Sequence, residues 1–84
     1  MYELEKRAQA GLTEQGLTAL KGAVRLQGST ARVLLQDTLK MIRTLNLKDK
    51  TLEADLEAAF NFVVTIQPDE LQAWQIHLKA PTQG

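Results

Sequence analysis

The chain has no cysteine and a single histidine, His77, among its 84 residues. Without a thiol there is no disulfide and no Cys-based zinc site. One imidazole falls short of the nitrogen ligands that zinc sites ordinarily gather, so no metal and no cofactor is expected. Aromatics are scarce, at 5% of the residues, and there are only two prolines. No apolar run exceeds three residues, Val33 to Leu35 and Phe62 to Val64 being examples, so no stretch is expected to span a membrane. The segment Met1 to Arg7 lacks the apolar core of a secretory signal, and the expected location is cytoplasmic. Net charge is missing as well, because ten Lys+Arg balance ten Asp+Glu. What is present is a chain with 44% apolar residues. That is too apolar for a disordered tail and suits a single domain over 1–84, near the lower size limit for folding alone.

The charge balance hides a polarity. Residues 1–50 hold nine basic side chains against five acidic ones, and residues 51–84 hold one basic against five acidic. The halves therefore carry +4 and −4, by counts taken from the same sequence. Such a chain can fold its halves together, pair with a copy, or offer one pole to a partner.

Apolar spacing near 3.6 residues runs through the whole chain and predicts an all-α fold. Residues 1–11 form a short N-terminal helical stretch with Leu4 and Ala8 on one side, broken near Gly11. Thr13 reads as an N-cap, with Leu12 and Leu17 spaced as a hydrophobic staple. The helix from Glu14 to Gln27 places Leu17, Leu20 and Val24 on one face, flanked by Gly16, Ala19 and Ala23, which allow a close neighbour. Gly28 suits a helix C-terminus and Ser29 the next N-cap. From Thr30 to Leu45, six residues (Leu34, Leu35, Leu39, Met41, Ile42 and Leu45) share an arc of roughly 160°. Arg32, Gln36, Lys40 and Arg43 stripe the opposite side, and Asn46 suits a left-handed stop. After a polar turn capped by Asp49 or Thr51, a helix from Lys50 to Ile66 buries Leu52, Leu56, Ala59, Phe60, Val63 and Ile66. Gln67-Pro68-Asp69-Glu70 starts the last helix, whose Leu71, Trp74 and Leu78 share a face, and residues 80–84 form a frayed tail. The expected architecture is a small bundle of three to four short antiparallel helices, completed by dimerisation.

Catalytic chemistry finds little support. Gly11 and Gly16 have phosphate-loop spacing, but Leu17 stands where Lys is needed. Glu70, Trp74 and His77 lie on one helical row, and Glu70 is two turns from His77, too far for a direct hydrogen bond. No catalytic residues are assigned and no enzyme is expected.

Two binding readings remain. The leading one is a protein–protein interaction module and homodimer, with Phe62, Val64, Trp74, Ile76 and Leu78 as anchors at the partner or dimer interface. Val64 and Ile76 fall off the main apolar stripes and would be exposed in a simple bundle. The alternative is nucleic-acid binding. Residues 20–39 loosely resemble a helix-turn-helix, and Arg25, Arg32, Lys40 and Arg43 would meet phosphates or an acidic partner. Val24, four before Gly28, is larger than that turn usually holds there.

Overall fold

In the computed structural model, residues 3–45 and 50–80 are described. They form α1 (Glu3–Gly11), α2 (Glu14–Gln27), a 3-10 turn (Gly28–Thr30), α3 (Ala31–Thr44), α4 (Lys50–Val63) and α5 (Pro68–Lys79). The expected all-helical class stands. The four longer helices match the expected bundle, and α1 brings the count among the described residues to five.

The caps follow the local chemistry. Thr13 Oγ1 accepts from the Gly16 N–H at 3.0 Å, closing the first turn of α2. Leu12 and Leu17, the residues spaced as a staple, are both partly buried against the core. Gly28 follows α2 with φ +55°, a conformation in which a side chain is strained. Ser29 is not the cap of α3. The chain tightens into the 3-10 turn instead, and Thr30 precedes α3 with its hydroxyl donating to the Gln27 carbonyl at 2.9 Å.

α4 ends at Val63, three residues before the expected Ile66. The amides of Thr65 and Ile66 donate to the carbonyls of Phe62 and Val63, tightening the last turn. Pro68 disfavours helical geometry at Gln67, which bars a helix from running past Ile66, and the chain leaves α-geometry earlier, in the turn over residues 64–66. The Gln67 N–H then donates to Glu70 Oε1 at 3.4 Å as α5 begins. The stop at Asn46, the Asp49 cap and the tail from 81 onward lie outside the described residues.

α2 is the central element and packs against α1, α3, α4 and α5. Gly16 permits the closest approach, since a Cβ there would lie 3.1 Å from the Asp55 carbonyl oxygen of α4. Across the α3–α4 contact Arg43 meets Glu57 and Glu53, and Gln36, Lys40, Phe60 and Asn61 line the same shallow groove. The core gathers Leu20, Val24, Leu35, Leu56, Leu71 and Trp74 with smaller residues between them. The structure extends 41 × 23 × 22 Å, about two helix lengths along its long axis, so the helices are staggered.

Candidate interaction surface

The long apolar arc of α3 is divided between core and solvent. Ala31, Leu35, Leu39 and Ile42 are buried. Beside them runs a second row at i, i+4, i+7 and i+11: Leu34, Thr38, Met41 and Leu45. Leu34 and Thr38 are half-buried, but Met41 and Leu45 are each 61% exposed. Val33, one residue outside the row, is 52% exposed. Sequence patterning grouped Leu34, Met41 and Leu45 with the buried residues. Packing separates them: α3 rests on α2 and α4, and that contact covers the buried row while leaving Met41 and Leu45 in solvent.

The outer row is short of polar groups that need water. Thr38 Oγ1 donates to the Leu34 carbonyl at 2.8 Å, so its hydroxyl is already satisfied within the helix. Helical spacing puts Asp37 and Thr44, both exposed, along its outer edge. A groove of about 250 Å³ lies at the start of α3, lined by Gln27, Thr30, Val33, Leu34 and Asp37. An apolar row ending in a shallow groove is the kind of surface that another helix can cover.

The other expected anchors divide. Val64 is 42% and Ile76 63% exposed, as their positions off the stripes implied. Phe62 and Leu78 are half-buried and rest on the core, so they offer edges instead of free faces. Trp74 is a correction. It is 0% exposed and belongs to the core. Its ring fills the space beside Leu71, and its Nε1 donates to Glu5 Oε1 at 3.2 Å. A buried indole with a satisfied N–H is not available to a partner.

The basic residues divide too. Arg43 Nη2 lies 2.8 Å from Glu57 Oε2, and Arg43 Nε lies 3.6 Å from Glu53 Oε1. Arg43 thus spends its charge on the acidic half of its own chain. Arg25 and Lys40 are exposed and Arg32 is half-buried, and none of the three forms an ion pair among the described residues. The Arg25 carbonyl accepts from Gln75 Nε2 at 3.0 Å, tying the end of α2 to α5.

Sequence reasoning gave Glu5 no role, yet it is a hub. Its carboxylate receives the Trp74 N–H, with Lys21 Nζ at 3.9 Å and His77 Nε2 at 4.0 Å. Its partners stand 69 and 16 residues away in the sequence for Trp74 and Lys21. No spacing rule reaches across such separations. Among the described residues, no group of three or more His, Asp or Glu is placed to hold a metal ion. None of the described helices is long and apolar enough to cross a membrane. Comparison with protein-family models, with curated proteins and with solved structures finds no match.

Proposed function

We propose that the chain is a non-enzymatic interaction module that pairs with a second copy of itself through the outer face of α3. The observation that carries this reading is the row Leu34, Thr38, Met41 and Leu45, with Met41 and Leu45 each 61% exposed. The row is self-complementary. In an antiparallel pairing centred between Leu39 and Lys40, Leu34 faces Leu45 of the copy and Thr38 faces Met41. Asp37 on its edge then approaches Thr44 of the copy, so no like charges oppose each other. Burial of these side chains supplies an apolar term that the small core of an 84-residue chain leaves unused.

Sedimentation velocity at two protein concentrations tests the reading. The wild-type chain is expected to shift from monomer to dimer, and Met41→Asp to remain monomeric with an unchanged helical spectrum. Ile76→Asp is the comparison, expected to leave the dimer intact. Loss of the dimer in Ile76→Asp but not in Met41→Asp would move the interface to α5. A wild-type chain that stays monomeric throughout would remove self-association altogether.

A second reading, nucleic-acid binding, draws on the three-residue turn between α2 and α3 and on Arg25, Arg32 and Lys40, which are unpaired among the described residues. The Arg43 pairs with Glu53 and Glu57 weigh against it, because they set carboxylates beside the basic stripe. Retention on heparin that falls steeply with salt, and is weakened by Arg32→Ala, would favour this reading over the first.

A further inference from the structure

We propose that α1 is a strap that opens independently of the rest of the molecule, with the Glu5 carboxylate as its latch. The helix has nine residues, fewer than the roughly 12 needed for an isolated helix to persist in water. It is therefore held by docking. Its buried residues are Leu4 and Ala8, and Glu5 is the third residue turned toward the body, with its side chain 13% exposed. Lys6, Arg7, Gln9 and Ala10 are all exposed.

The polar ties of the Glu5 carboxylate reach out of α1. From α5 come the Trp74 N–H at 3.2 Å and His77 Nε2 at 4.0 Å, and from α2 comes Lys21 Nζ at 3.9 Å. One carboxylate thus gathers groups from two elements. Removing it takes away an acceptor of the buried indole N–H as well as a charge partner of Lys21.

The surroundings suit a part that moves alone. α2 has its own start, because Thr13 caps its first turn and Leu12 and Leu17 are anchored on the core at its entry. Gly11, at the end of α1, is exposed and has nothing within 4 Å of where a Cβ would stand, so turning there meets no packed neighbour and breaks the Leu12 N–H bond to the Ala8 carbonyl at 2.8 Å. A groove of about 450 Å³, lined by Glu3, Leu4, Arg7 and Glu70, already runs along the α1–α5 edge. Opening uncovers the N–H edge of Trp74 and vacates the seats of Leu4 and Ala8. The remaining slot fits a short amphipathic helix with an aliphatic residue and a small one four positions apart, and in the closed chain α1 fills it.

Trp74 is the sole tryptophan, so its emission reports on this site alone. Amide hydrogen exchange on the native full-length chain is the first measurement. Residues 3–11 are expected to exchange through an opening about tenfold or more easier than that of α2, α4 and α5. Acrylamide quenching of Trp74 is the second. Glu5→Ala is expected to raise it severalfold while the other helices keep their signal. Glu5→Gln, which retains an acceptor for the indole but not the charge, should fall between Glu5→Ala and wild type. Exchange in α1 that matches global unfolding overturns the strap, whatever the variants do. Quenching unchanged by Glu5→Ala overturns Glu5 as its latch.

Discussion

At the scale of single residues, two glycines of α2 have opposite consequences. A methyl group at Gly16 would meet the Asp55 carbonyl oxygen at 3.1 Å and Thr13 Oγ1 at 3.2 Å, while one at Gly22 would meet nothing within 4 Å. Alanine favours a helix interior by up to about 1 kcal/mol over glycine. At Gly22 that gain is unopposed, and Gly22→Ala is expected to raise the urea midpoint. At Gly16 the strain of parting α2 from α4 exceeds it, and Gly16→Ala is expected to cost about 1 kcal/mol net. Gly28→Ala should also destabilise, because φ is +55° and the new Cβ would stand 2.5 Å from Gln75 Oε1, disturbing the Gln75 bond to Arg25. Matched urea titrations of the three variants decide the ranking. The sequence marked Gly28 as a helix end and the small residues of α2 as a contact strip. It did not say which glycine lies under a neighbouring backbone, because that depends on where α4 crosses.

Individual elements show where local chemistry suffices. α2 starts at its cap and α5 starts at its proline, as expected from residues within one turn. Thr13→Ala is expected to cost about 1 kcal/mol, since it strips the Gly16 amide of its acceptor. Thr13→Ser should restore most of that, and thermal unfolding of the pair measures both. α4 shows the limit of periodicity. The 3.6-residue pattern continues to Ile66, and Ile66 is indeed buried, but the α-helix stops at Val63 and Ile66 reaches the core from the tightened turn that follows. α3 shows another limit. Its apolar arc was legible, yet its division into a buried row and an exposed row was not, because a wheel does not state how many neighbours a helix has.

For the whole molecule, the polarity of the sequence partly closes within one chain. Arg43 from the basic half meets Glu53 and Glu57 from the acidic half across the α3–α4 contact. All three side chains are at least a quarter exposed, so these pairs orient the helices more than they stabilise them. Apolar surface is what the monomer leaves unsatisfied. If the α3 row is covered by a second copy, folding and pairing are linked, and the melting temperature is expected to rise with protein concentration. Met41→Asp, whose side chain lies outside the core, should abolish that concentration dependence and lower the melting temperature of the dilute chain only by the cost of an aspartate near the end of α3, about 1 kcal/mol. Scanning calorimetry over a wide concentration range checks both parts.

The sequence by itself determined the helical class, the starts of α2 and α5, the glycine that ends α2 and most of the buried face of each helix. These are consequences of spacing, capping and backbone preference within a few residues. Only the tertiary structure decided that Trp74 is core with Glu5 as its acceptor, that Arg43 is paired, and that Met41 and Leu45 face water. Each of these depends on which surfaces meet across the fold. Burial and charge pairing are properties of neighbours brought together by packing, and a linear pattern carries no record of the distance between them.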